Sequence, residues 1–300
     1  MPVFALAVVV AGSLTGCGQA KPAAADIGLR PSRTASPSRS ASPRPSASAS
    51  STPDTGICSW PAHTQVAAEL SSEITSALSD RDSTVDFTAD DPGQGLTCTL
   101  RGSDDSHSAS IVKVIILAAL MYENQPGTSL SSAQKSLAWQ MITASSDSAA
   151  TDLWNDVGIE DLQEFLTAAG MTHTDLGQDG YWGLTEVNPD DELRLLQLLI
   201  TPNSVLDTAS RDYILYLMRN VISYDYWGVS AGVPSSDTVY LKNGWLPDPT
   251  LWVINTIGDV ATTGGDYSMA ILSRDNPSMS YGVDTVQSVA TLINQALASH

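Results

Sequence analysis

The chain has 300 residues, 42% of them apolar, and a net charge of −19 from 33 acidic and 14 basic side chains. Lys21, Arg30, Arg33, Arg39 and Arg44 all precede residue 46, where Asp26 is the lone acid, so the remainder carries 9 basic against 32 acidic groups, a net −23. A region that acidic repels phosphate, which excludes a nucleic-acid-binding role; a soluble, self-repelling surface is the expectation.

Residues 1–17 read as an address. Val3 to Leu14 is an apolar run too short to cross a bilayer as a helix, and it ends in Leu14-Thr15-Gly16-Cys17. That ending resembles a bacterial lipobox, in which the cysteine thiol receives a diacylglyceryl group and becomes the new N-terminus. No Lys or Arg precedes the run, so a plain secretory signal with a free Cys17 stays open as the alternative. Residues 18–55 are Ser, Ala, Pro and Arg without apolar periodicity, a composition that cannot offset the entropy of ordering and reads as a disordered tether. The expected location is therefore the extracytoplasmic face of the membrane, with contact to lipid only through Cys17. With Cys17 assigned to lipid, Cys58 and Cys98 remain as an even pair in an oxidising compartment. They are expected to form a disulfide, two buried thiols being the alternative.

The folded region is expected over 56–300. Val66, Leu70, Ile74 and Leu78 share one face of a helix over 62–78. Residues 84–88 alternate as a strand, a turn-rich stretch follows over 90–95, and 96–100 reads as a second strand. Ile111 to Tyr122 is almost wholly apolar and predicts a buried helix. Helices follow over 136–157 and 159–169, broken at Gly158, then over 190–200 and 207–221. Strands are expected over 238–241, 251–257 and 267–272, and a last helix over 283–297. Strands from both ends of this order imply one antiparallel sheet in an α/β (α+β) fold, with the helical middle as a subdomain packed against it.

Three motifs carry chemistry. Ser110-Ile111-Val112-Lys113 opens the buried helix, and three residues of separation place hydroxyl and ammonium on one helical face. Unpaired N–H groups at the helix start favour negative charge on the serine oxygen, and an apolar setting disfavours the charged lysine. A second copy of the spacing, Ser132-Ala133-Gln134-Lys135, lies in a polar segment and reads as surface. Ser146-Asp147-Ser148 follows 36 residues after Ser110, and Lys242-Asn243-Gly244 falls on an expected strand. The order S-x-x-K, S-D-N, K-T-G is the signature of class A β-lactamases and penicillin-binding proteins. From about Ala62 to Leu297 the chain resembles the class A β-lactamase-like serine hydrolases. Tyr181 to Thr185, Lys242 to Trp245 and Trp252 to Asn255 are similar to the actinobacterial lipoproteins of that group.

The resemblance implies a β-lactamase/transpeptidase-like fold and a catalytic set of Ser110, Lys113 and Ser146. Ser110 would be the nucleophile, Lys113 the group that helps remove its proton, and Ser146 the proton shuttle to the leaving nitrogen. Lys242 would hold a substrate carboxylate, and Ser148, Asn243, Gly244 and Trp245 would complete the substrate pocket. The N–H groups of Ser110 and Trp245 would form the oxyanion hole. No cofactor or metal is implied, the four histidines show no metal spacing, and a monomer is expected. Ser148 stands where the family has asparagine, and Asn243 where it has Thr or Ser, although the Asn243 amide could still donate to a carboxylate. The family's deacylating glutamate has no clear counterpart. Glu186 is the one glutamate in that loop and is either the base or, with Asp175 and Asp179, a solvated acid. The expected function is hydrolysis of a β-lactam or related cell-wall amide or peptide through an acyl-serine. The alternatives are a slow penicillin-binding D,D-peptidase-like protein and a catalytically silent surface-binding lipoprotein.

Overall fold

The structure, a computed structural model, describes residues 56–125, 129–248 and 250–300; the segment 1–17 with Cys17 and the tether 18–55 lie outside them. Six strands form one sheet in the order β1-β3-β2-β8-β7-β6. Its members are β1 (Cys58–Ser59), β2 (Thr84–Asp91), β3 (Leu96–Leu100), β6 (Thr238–Asp248), β7 (Leu251–Ala261) and β8 (Asp266–Asn276). Every pairing in it is antiparallel. The sheet is thus assembled from both ends of the folded region. Cys58 lies opposite Cys98 in the β1–β3 register and is disulfide-bonded to it.

The two faces of the sheet bury different layers, as the period of two along a strand requires. In β8, Met269 and Ile271 join the core beneath α1 (Thr64–Ser79) and α8 (Met279–Ala298). Ala270 and Leu272 point the other way, into the helical core. That core is built around α2 (Val112–Glu123), whose residues from Val112 to Leu120 are all buried. A helix apolar on every side has to be surrounded, and α3 (Ser132–Thr143), α4 (Asp147–Val157), α5 (Ile159–Ala169), α6 (Pro189–Ile200) and α7 (Thr208–Arg219) supply the packing. A second, two-stranded ribbon pairs β4 (Ser106–His107) with β5 (Glu186–Val187).

Three differences from the sequence reading have physical causes. The helix expected over 136–157 is two helices, because Ser146 leaves helical geometry and accepts a hydrogen bond from the Ala149 N–H as the N-cap of α4. Serine at this position competes with helix continuation and favours a new start. The C-terminal strands run to 11 residues each. Polar residues that look like strand ends are bonded inside the sheet, as when Ser268 donates to Asp259 at 2.6 Å. Strand β2 continues through Asp90 and Asp91, the latter's carboxylate accepting the Gln94 N–H that tightens the turn.

Candidate active site

Ser110 sits in a single 3-10 turn, Ala109–Ile111, that leads directly into α2. The preceding Ala109 is held at φ 49°, a left-handed conformation costing a non-glycine residue on the order of 1–3 kcal/mol. Surrounding bonds hold it there. Asn255 of β7 donates its side-chain amide to the carbonyls of His107 (2.9 Å) and Ser108 (3.1 Å). The Ser108 N–H donates to the Thr185 carbonyl at 2.8 Å. Sheet and loop therefore hold the backbone leading into Ser110 from two sides. Asn255 enters the sequence reading only within the Trp252–Asn255 resemblance, with no role assigned to its amide.

Lys113, the second residue of α2 and one turn after Ser110, is fully buried and donates to Ser110 Oγ at 2.9 Å. Its ammonium also lies 2.7 Å from the Ser145 carbonyl, 3.2 Å from Ser145 Oγ and 2.7 Å from Asp147 Oδ1. Burial pushes its pKa down from the usual lysine value, and the Asp147 carboxylate works against that shift. The indole face of Trp182 covers the same nitrogen, 4.8 Å from ring centroid to Nζ, while the indole N–H donates to Thr151. A lysine ammonium over an indole face is attracted by the ring quadrupole.

Lys242 comes from β6, the edge strand, and is also fully buried. It donates to Ser145 Oγ at 3.0 Å and to the Asn243 carbonyl at 2.9 Å. Desolvation, with the nearby Lys113 charge second, lowers its pKa to about 7, and Asp225 and Asp147 oppose the change. Asp225 is buried as well, and that burial raises its pKa while the two lysines pull it back. Gly244 makes the junction possible. A Cβ there would stand 2.7 Å from the Ser110 nitrogen, 2.9 Å from the Ser108 carbonyl oxygen and 3.0 Å from the Ile111 nitrogen, all backbone atoms. Trp245 follows at the rim, its ring 6.4 Å from that of Tyr224 and 6.2 Å from that of Trp227.

The structure thus brings Ser110, Lys113, Lys242 and Gly244 together, and it places the middle motif one residue earlier than the S-D-N spelling. Ser145, not Ser146, bridges the two lysines. Ser145 is held at φ 52° in the break between α3 and α4, which is what turns both its oxygens inward. Ser146 instead caps α4 and lies 3.2 Å from the Ser148 hydroxyl, away from both lysines. The side chain at Lys113 is Asp147; Ser148 is exposed. Asn243 differs from its expected use too, because its amide donates to the carbonyls of Asp225 (2.7 Å) and Trp227 (3.0 Å) and is spent on holding that loop. Glu186 pairs with His107 in the β4–β5 ribbon and lines a cleft of about 190 Å³ with Asp105, Asp248 and Arg274, residues outside the Ser110 cluster. Among the described residues, no group of three His, Cys, Asp or Glu side chains is placed to hold a metal ion.

A hydroxyl hydrogen-bonded to a desolvated lysine, and a second hydroxyl shared by two lysines, form a relay able to move a proton from a nucleophile to a leaving group. Solved structures with this fold include PBP-A, at 20% identity and TM-score 0.66 over 77% of this chain and 97% of that one. A point mutant of PBP-A, solved as its acyl-enzyme complex with penicillin G, matches at 19% identity and TM-score 0.66, covering 78% and 97%. A class A β-lactamase from Bacteroides cellulosilyticus matches at 16% identity and TM-score 0.65, covering 78% and 98%. Likeness at such identities establishes the fold alone. No curated protein matches the chain. The profile of the β-lactamase enzyme family matches residues 121–297, more than half of the chain, and the protein belongs to that family.

Proposed function

We propose that the protein is an exported, lipid-anchored serine hydrolase that is acylated on Ser110 by β-lactams or related cell-wall amides and releases the acyl group slowly. The observation that carries this reading is the 2.9 Å hydrogen bond between Lys113 Nζ and Ser110 Oγ inside a relay continued by Ser145 to Lys242. In the acylation step Lys113, in its neutral form, takes the Ser110 proton as Oγ bonds to the carbonyl carbon. The oxyanion then collapses, the C–N bond breaks with its electron pair going to nitrogen, and the nitrogen receives the proton through Ser145. Water cleaves the resulting ester, returning the Ser110 hydroxyl and a carboxylic acid.

Slow release is favoured by two specific features. The glutamate of the loop, Glu186, lies in a separate cleft, and the loop side chain over Lys113 is the Trp182 indole, the carboxylate beside that lysine being Asp147 of α4, whose Oδ1 is bonded to it. An indole neither accepts a proton from water nor orients one for attack. Export and attachment through Cys17 belong to the same proposal, supported by the Leu14–Cys17 sequence and the Ser/Pro-rich tether.

Intact-mass measurement after adding a penicillin tests the reading, with Ser110→Ala as control. An adduct on the wild type alone that persists for hours is the expected outcome. Decay within seconds would mean an efficient β-lactamase with a deacylation base other than Glu186. No adduct under any condition would sink the acylation mechanism and leave a binding lipoprotein on this fold.

A further inference from the structure

The carboxylate of Asp147 has two faces. Oδ1 is 2.7 Å from Lys113, which is itself 2.9 Å from the nucleophilic Ser110 Oγ. The rest of the side chain, 77% exposed, stands at the mouth of the site. Asp147 is the first residue of α4, and its neighbours on either side, Ser146 and Ser148, bond to each other rather than to it. No other cation is ion-paired with it among the described residues. An ionised carboxylate only accepts hydrogen bonds, so this position offers a substrate a negative charge and no donor. The opposite side of the cleft carries Lys242, whose buried ammonium has two of its three N–H groups engaged.

We infer that Asp147 is a specificity-determining residue that selects acyl donors carrying an ammonium on the arm beside the scissile carbonyl and rejects those carrying a carboxylate there. The inference rests on the proposed acylation of Ser110. It adds to it a substrate class: zwitterionic amides whose carboxylate faces Lys242 and whose ammonium faces Asp147. Two hydrogen-bond lengths separate Ser110 Oγ from Asp147 through Lys113, a span that an arm of a few bonds covers from an acyl carbon on Ser110. Asp147 takes no part in the bond-making step.

The test uses three penicillins that differ only at the side-chain carbon, with an ammonium (ampicillin), a hydrogen (benzylpenicillin) or a carboxylate (carbenicillin). Acylation rates of the purified protein should fall in that order, with about tenfold between the extremes at low salt, narrowing as ionic strength rises because the carboxylate is exposed. In Asp147→Asn the three rates should come within about twofold of one another, the size of an effect left once the charge is removed. Any influence of Asp147 on Lys113 changes all three rates together, so the ratio isolates selection from positioning. Equal rates in the wild type, or an order that survives Asp147→Asn, would overturn the inference. Binding of the same compounds to Ser110→Ala, read as dissociation constants, provides the same ratio without chemistry. A protein that never acylates but binds in the expected order would overturn the proposed function and keep the selection; one that binds all three alike would overturn the selection.

Discussion

On the helical wall of the cleft, Ser145 from the short break between α3 and α4 and Asp147 from the first position of α4 reach Lys113. On the sheet wall, Lys242 and Gly244 are set in position by the register of the edge strand β6 against β7. The helical wall depends on one residue in a left-handed conformation, Ser145 at φ 52°. The sheet wall depends on a ladder running from Thr238–Ala261 to Asp248–Leu251. A side chain can be lost from the first wall without moving its backbone, whereas a change in the second moves the strand against the nucleophile. The two walls should therefore fail differently.

The largest effect is expected on the sheet wall. Gly244→Ala places a methyl group 2.7 Å from the Ser110 nitrogen, against backbone atoms that cannot rotate away. Strand and nucleophile turn have to separate, which displaces Ser110 and the donors facing its acyl oxygen together. Each displacement costs on the order of a hundredfold, so acylation should fall about a thousandfold or more. Stopped-flow acylation by a chromogenic β-lactam measures it. A loss under tenfold would mean that β6 does not constrain the nucleophile.

The helical wall should respond to the hydroxyl alone. Ser145→Ala removes the oxygen shared by Lys113 and Lys242 and should slow acylation about a hundredfold, the usual scale for a lost proton relay. Ser146→Ala should leave acylation nearly unchanged and lower stability by about 1 kcal/mol through loss of the α4 cap. The reverse pattern, with Ser146 essential and Ser145 dispensable, would return the middle motif to its S-D-N spelling. Thermal unfolding beside the kinetics separates the two contributions.

The same contrast explains what could be read from the sequence. Groups fixed by a regular repeat were legible: Ser110 and Lys113 lie three apart on a helix, and Lys242 and Gly244 lie on a strand. Apolar α2 announces itself through composition and the strand at 84–88 through alternation, and the order of the elements gives the split between sheet and helical subdomain. Residues positioned by irregular backbone were not. The Ser145-Ser146-Asp147-Ser148 stretch spells one motif in the expected register, yet the chain turns at Ser145, a conformation serine gives no sign of adopting. Reading 136–157 as one helix hid that turn, and with it the identity of the residue facing the lysines. Asn243 resembles a ligand-binding position by spelling, but only the fold of residues 225–227 shows that its amide is engaged. Strands of two residues, such as β4 and β5, are too short to carry any pattern.

The smallest expected effect separates the walls by charge. Lys113 has an ion-pair partner at 2.7 Å, whereas Lys242 has hydroxyl and carbonyl acceptors and a pKa lowered to about 7. Below pH 7 Lys242 is charged and can hold a substrate carboxylate; above it the charge is lost. Affinity for an anionic ligand should therefore decline as pH rises through about 7, by a fewfold to tenfold. Stability should move the opposite way. Between the folded value near 7 and the unfolded value of 10.5, the unfolded chain holds the extra proton, so this group's contribution to stability increases with pH across that interval. A Lys242→Met variant should lose both dependences while keeping those that arise elsewhere in the chain. The pair of measurements on wild type and variant, ligand titration and denaturant unfolding from pH 6 to 10, distinguishes a buried lysine that recognises charge from one that only packs. If affinity stays flat through pH 7 while stability rises, Lys242 titrates without meeting the ligand, and the assignment of the substrate carboxylate to it fails.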